Sequence, residues 1–107
     1  MAGNSPTSRS LAHIRERGYQ TWIVEYWNNF SRKRVDLFGI FDILAVGNGE
    51  TLAVQTTSRA NMSARAKKIA ESEYIGACRD AGWRIEIHGW RKNHKTGRWE
   101  VKVQDIS

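Results

Sequence analysis

The chain is short of most features that would mark a secreted, membrane-spanning or zinc-stapled protein. It has one cysteine, Cys78, so an internal disulfide and a cysteine-based zinc site are both excluded. Cys78 lies among small residues in a predicted helix and reads as a buried, inert thiol. The only proline falls within the polar stretch Met1 to Ser10, which has none of the charge and apolar pattern of a signal peptide. No apolar run approaches the ~18–20 residues of a membrane span. The expectation is a soluble, cytoplasmic protein with no membrane partner. His13, His88 and His94 fall in different predicted elements with no two at ligand spacing. No glycine-rich phosphate loop and no Ser-His-Asp arrangement is visible. Acidic residues are also scarce, eleven against seventeen lysines and arginines, for a formal charge of +6. That balance favours a polyanionic partner, DNA or RNA first, because neutralised phosphates release condensed counterions.

What is present suits one small domain: 107 residues bury a single core but have no room for two. Residues 1–7, rich in Gly, Asn, Ser and Thr, read as a flexible lead-in, and 8–107 as the domain. From Ser8 the spacing of Leu11 and Ile14, closed by Gly18, predicts a short amphipathic helix. Tyr19 to Trp27 alternates β-branched and aromatic residues and predicts one strand carrying Glu25. Val35 to Val46 is too long for a featureless strand, so Gly39 is expected to bend it. A helix is predicted from about Met62 to Ala81, with Asn61 as its N-cap and an apolar face of Met62, Ala66, Ile69, Ala70, Ala77, Cys78 and Ala81. Strands follow at Arg84 to Trp90 and Arg98 to Val103. This order implies an α/β sandwich with a mixed sheet.

The centre of the pattern is Phe41 to Thr57, two apolar runs flanking Asn48-Gly49, the strongest short-range signal for a hairpin with a type I′ turn. With those two turn residues, Asp42 lies directly opposite Gln55. Opposed side chains on one face have Cβ atoms about 4.5–5.5 Å apart, near enough for both to reach one divalent cation. Thr57 shares that face by strand alternation. A carboxylate inside an apolar run is costly unless it is paired or binds a metal. Asp36 would stand about 20 Å from Asp42 along a regular strand, at ~3.3 Å per residue, and reaches the same ion only if the chain bends at Gly39. Asp42 is therefore the first choice and Asp36 the reserve.

Cations gather around this hairpin. Arg32, Lys33 and Arg34 follow Phe30 in a turn suited to tracking a sugar-phosphate backbone. Arg91, Lys92 and Lys95 lie between Trp90 and Trp99, where aromatic rings beside cations suit stacking against bases. The helix start after Thr57 offers free backbone N–H groups to a phosphate, with Ser58, Arg59, Arg65 and Lys68 nearby.

The segments Gly39-Ile40-Phe41-Asp42-Ile43-Leu44-Ala45 and Leu52-Ala53-Val54-Gln55-Thr56-Thr57-Ser58 resemble the core of the PD-(D/E)XK nucleases. Within that superfamily they are most similar to small Holliday junction resolvases and virus-type replication-repair nucleases, and the resemblance spans roughly residues 8 to 90. It implies a restriction-endonuclease-like αβββαβ(β) sandwich and a Mg²⁺- or Mn²⁺-dependent DNA endonuclease. It also implies a branched substrate such as a four-way junction, a homodimer, and a prokaryotic or phage-infected cell as the setting. Asp42 and Gln55 would hold the metal, with Glu16 of the first helix as a further acidic ligand. Phe41 stands where the motif has proline, Gln55 where it has an acid and Thr57 where it has lysine. Gln55 brings a carbonyl oxygen without charge. Thr57 is left to orient water or phosphate, and the missing positive charge is expected from Lys67 first, with Arg59 or Lys68 also in reach, a surface pair of Lys67 to Glu71 being its plain alternative. Two other functions fit the same residues: a DNA-binding module that has lost catalysis, and an adaptor whose basic surface meets an acidic protein.

Overall fold

The computed structural model describes residues 5–107; residues 1–4 of the expected lead-in lie outside them. Residues 5–7 are not lead-in but the start of α1 (Pro6–Glu16). The Ser5 hydroxyl accepts a hydrogen bond from the Ser8 N–H at 3.0 Å, and Pro6 occupies the first helical turn, where a missing N–H costs nothing.

The remaining elements are β1 (Gln20–Ile23), β2 (Tyr26–Asn28), β3 (Lys33–Val35), β4 (Ile43–Gly47), β5 (Glu50–Ser58), a 3₁₀ turn (Arg59–Asn61), α2 (Met62–Ala70), α3 (Ile75–Asp80), β6 (Arg84–Lys92) and β7 (Trp99–Asp105). The main sheet runs β1-β4-β5-β6-β7, parallel only between β5 and β6. The fold is thus α/β with a mixed five-stranded sheet. α1 covers one face, over Ile14, Tyr19, Ile43, Ala45, Leu52 and Val54; α2 and α3 cover the other. Because both faces are covered, Leu52 to Thr57 of β5 are all buried. Among the described residues no helix is long and apolar enough to cross a membrane.

Three predicted elements differ. The strand expected over Tyr19 to Trp27 breaks after Ile23, and β2 leaves the main sheet to pair with β3 as a separate two-stranded ribbon. At the break the Val24 N–H donates to the Asp42 carbonyl at 2.9 Å. The long helix expected to end at Ala81 is two helices. A straight helix would turn Ile75 about 120° away from Ile69, yet both are buried in one cluster. The break comes at Ser72, whose hydroxyl accepts the Tyr74 N–H at 3.1 Å and competes with the helical ladder. Asn61 is not a cap by its side chain; the 3₁₀ turn leads directly into α2.

Candidate metal centre and its surroundings

Asn48 and Gly49 both have positive φ, 53° and 77°, as the two-residue turn requires. The ladder pairs Ile43 with Val54 and Gly47 with Glu50 and stops there; the Asp42 N–H then donates to the Val54 carbonyl at 2.9 Å, and the Asp42 and Gln55 side chains meet just beyond the ladder. Gln55 Nε2 donates to Asp42 Oδ2 at 2.7 Å. β4 begins at Ile43, and the Asp42 carbonyl just before it accepts the Val24 N–H, so the Thr56 N–H has no strand carbonyl to meet. Asp42 Oδ2 replaces that acceptor, taking the Thr56 N–H at 2.7 Å and the Thr56 hydroxyl at 3.0 Å. Strand alternation alone sends Thr56 to the other face, and only the start of β4 at Ile43 brings it to the carboxylate.

The expected bend exists and brings the reserve residue in. Phe38 and Gly39 have φ 56° and 75°, the Ile40 N–H bonds the Leu37 carbonyl at 3.1 Å, and Leu37 bridges Phe41. The chain reverses, and Asp36 comes beside Asp42. Glu25, on the segment where β1 breaks, completes a group whose carboxylate oxygens lie within 4.8 Å of one another. Glu25 also pairs with Arg34 at 3.7 Å. Burial, then the charge and a hydrogen bond of Asp42, push the Asp36 carboxyl up to about 6, with Lys68 opposing. Burial and then Asp42 push Glu25 up as well, against Arg34.

Gln55 is 2 % exposed, and its Oε1 has no hydrogen-bond partner. Its orientation is set by Asp42, which accepts from Nε2 and so leaves the carbonyl oxygen to face elsewhere. The three converging carboxylates are an all-oxygen donor set, which fits a hard divalent cation such as Mg²⁺ or Mn²⁺, and the Gln55 carbonyl oxygen would join it with the amide turned over. Asp42, Gln55, Glu25 and Asp36 line one opening of about 400 Å³ with Thr57, Ser58 and Arg65.

Glu16 does not join them. It is the exposed last residue of α1, whereas the helix meets the opening with its first turn, where Pro6 and Thr7 line it and Thr7 Oγ1 lies 3.1 Å from Thr56 Oγ1. Nine residues of helix put Glu16 about 13 Å further along. Glu25 takes the expected place of the extra acid, a residue whose position depends on the strand break. Lys67 is exposed on α2 and does not line the opening. The cations directed at the carboxylates are Arg65, in the lining, and Lys68, whose charge acts on Asp36.

The other expected DNA contacts flank the site. Arg32, Lys33 and Arg34 are exposed on the β2–β3 ribbon and the turn that closes it. Arg91, Lys92 and Lys95 sit at the end of β6 and in the following turn, at the same end of the sheet as Thr57 and Ser58, which pair with Gly89 and Trp90. Arg91 is partly engaged by Glu100 at 3.7 Å. Ser58 is exposed and Arg59 half-buried.

A carboxyl held above its unfolded value binds more protons when folded. The ion-free protein should therefore lose stability at this site as pH rises from about 4 through about 6. Added Mg²⁺ is expected to raise the melting temperature by several degrees at about pH 7.5 and to do little at about pH 5, where Asp36 is protonated. Thermal denaturation in chelator and in Mg²⁺ at the two pH values checks this; an equal shift at both removes the assignment of Asp36.

Compared with family models, curated proteins and solved structures, the chain matches none, and what the site can do is read from its own atoms.

Proposed function

We propose that the chain is a Mg²⁺- or Mn²⁺-dependent DNA endonuclease of the PD-(D/E)XK type, acting on branched DNA. The observation that carries this reading is the convergence of Asp42, Asp36 and Glu25 oxygens within 4.8 Å of one another, in an opening that Gln55 also lines, in a protein of net charge +6. The order of β4, β5, a helical crossover and parallel β6 supports the restriction-endonuclease-like description of the sandwich.

In this reading Asp42, Gln55, Asp36 and Glu25 hold the cation, and Thr56 fixes Asp42 through two hydrogen bonds. The ion, when bound, polarises a phosphate oxygen and makes a water molecule more acidic. Arg65 and Lys68 supply the positive charge that the motif lysine provides elsewhere, in place of Lys67, and Thr57 orients water or phosphate. The basic ribbon and the β6–β7 turn hold the flanking strands. A symmetric branched substrate needs two such centres, so the active form is a homodimer.

A DNA-binding module without catalysis is the second reading, and Gln55 and Thr57 favour it, since they lower the charge available for binding the ion and the transition state. Incubation with four-way junction, duplex and single-stranded DNA, in Mg²⁺, in Mn²⁺ and in chelator, separates the two. Cutting that needs the ion and disappears in Asp42→Asn supports the nuclease. Binding that falls steeply with salt and never cuts supports the module. No DNA binding in any ion overturns both and leaves an adaptor for an acidic protein.

A further inference from the structure

Beside the carboxylates lies a second opening, a cleft of about 780 Å³ walled by Trp22, Tyr26, Phe38 and Tyr74, which shares Glu25 and Asp36 with the candidate metal centre. We propose that this cleft is a subsite for an unpaired nucleobase, so that the preferred substrate carries at least one unstacked nucleotide next to the phosphate to be cut. The proposal rests on the nucleic-acid reading above and names the substrate feature that this reading leaves open.

Two observations carry it. The first is the exposure of the rings. Trp22 is 76 % exposed and Tyr26 57 %, on the chain on either side of the break between β1 and β2, while Phe38 and Tyr74 stack at 5.0 Å with half-exposed edges. Large apolar rings grouped in solvent around a concave surface mark a binding site more often than a fold requirement.

The second is Phe38 itself. It occupies the first central position of a tight turn with φ 56°, a conformation that suits Gly, Asn or Asp and is strained for a bulky side chain. A phenylalanine there is wrong for the turn and right for a wall. It is 42 % exposed, so core packing alone does not account for it.

The chemistry of the rim and floor selects the occupant. Through the oxygens that do not face the cation, Glu25 and Asp36 repel a bare phosphate and accept hydrogen bonds from the amino groups on base edges. Exposed Arg32, Lys33 and Arg34 on the adjoining ribbon are placed for the phosphates on either side. A flat, neutral ring with donors at its edge and a charged backbone beyond it matches all three surfaces.

Phe38→Asn removes the ring and installs a residue the turn prefers, and Trp22→Ala removes an exposed wall. Binding of fluorescein-labelled single-stranded DNA and of a blunt duplex of the same sequence, followed by anisotropy in chelator, tests the proposal. Each variant is expected to weaken single-strand binding about tenfold, with duplex affinity unchanged and, for Phe38→Asn, a melting temperature equal to or above the parent's. Unchanged single-strand affinity in both variants overturns the subsite, as does a parent protein that prefers the duplex. If that result comes with cutting that still depends on Asp42, only the subsite falls. If instead no DNA is cut in any ion while both variants lose single-strand binding, the subsite stands and the nuclease reading falls.

Discussion

Asp42→Asn is expected to raise stability while abolishing the response to Mg²⁺. The three donors that now converge on Asp42, from Gln55 Nε2, the Thr56 N–H and the Thr56 hydroxyl, all reach Oδ2, and an amide oxygen in that place keeps all three. The amide NH₂ replaces the remaining oxygen and donates toward Asp36 and Glu25, which now face a like charge. Removing one of three crowded charges should gain about 1 kcal/mol in chelator at about pH 8, a rise of roughly 4–8 °C for a domain of this size. The Asp36 carboxyl should move back toward the ordinary range, since Asp42 is one of the causes holding it near 6. Asp42→Ala should do the opposite. It strands the Thr56 N–H without an acceptor and leaves Gln55 Nε2 only the long 3.5 Å contact to the Thr56 carbonyl, at a cost of about 2–4 kcal/mol. Melting curves of the two variants, with and without Mg²⁺, decide the matter. A destabilised Asp42→Asn that still responds to the ion would sink the assignment of Asp42 as a ligand.

The largest loss of stability is expected from Glu86→Ala, on β6 beside Val54 and outside the carboxylate cluster. Glu86 is 1 % exposed on β6, and Arg17 grips both its oxygens, at 2.8 and 2.9 Å. His88 Nε2 reaches Oε1 at 3.0 Å, His88 Nδ1 lies 3.0 Å from Ser10 Oγ, and the Trp90 indole N–H donates to that same hydroxyl at 2.9 Å. Ser10 and His88 are fully buried. This chain of polar groups ties α1 to β6 under the sheet, and removing the carboxylate leaves a guanidinium and an imidazole without their acceptor. Breaking a buried pair from one side costs about 3–5 kcal/mol, a large share of the roughly 5–15 kcal/mol of a typical domain. Urea denaturation at neutral pH is the measurement, and a loss below about 1 kcal/mol would mean that the network relaxes without strain.

The same group sets acid sensitivity. Burial alone would raise the Glu86 carboxyl, but the hydrogen bonds and charge of Arg17, with His88, overcome it and hold the group far below its usual value of 4.5. A depressed carboxyl contributes stability that is present above its unfolded value and lost as pH falls through the folded one. Its effect is therefore confined to the acid side of about 4.5. The Asp36 effect runs the other way, between about 4 and about 6, so the two are separable in one titration of stability against pH. Glu86→Gln should remove the acid limb and leave the Asp36 limb intact.

How much of this was legible in the sequence follows from how local each feature is. Asn48-Gly49 specified its turn, and the turn specified the register, so the Asp42–Gln55 pairing came from seventeen consecutive letters, Phe41 to Thr57. Asp36 was legible as a reserve partner, conditional on a bend that Gly39 announced. Glu25 was visible as an acid on a strand, but its approach depends on that strand breaking after Ile23, which no residue type there announces. Thr56 was hidden by strand alternation, which fails just before β4 begins. The division of the second helix was hidden because Ser72 is an ordinary helix-surface residue until its hydroxyl takes the Tyr74 N–H. The Ser10, His88 and Glu86 network joins residues on α1 and β6 that no spacing rule connects. It would have needed the three-dimensional pairing of those elements.

The single parallel contact, between β5 and β6, orders the assembly of the molecule in time. Pairing β4 with β5 closes only the Asn48-Gly49 loop, an event of about 1–10 μs. Bringing β6 alongside β5 must first gather the whole stretch from Arg59 to Trp83, and such distant contacts are slow to be rewarded. Asp36 lies only six residues from Asp42 across the Phe38-Gly39 turn, so it is expected to meet Asp42 as early as Gln55 and Thr56 do, with Glu25 following. The acidic repulsion is therefore met in the local piece, before β6 docks and closes the sheet.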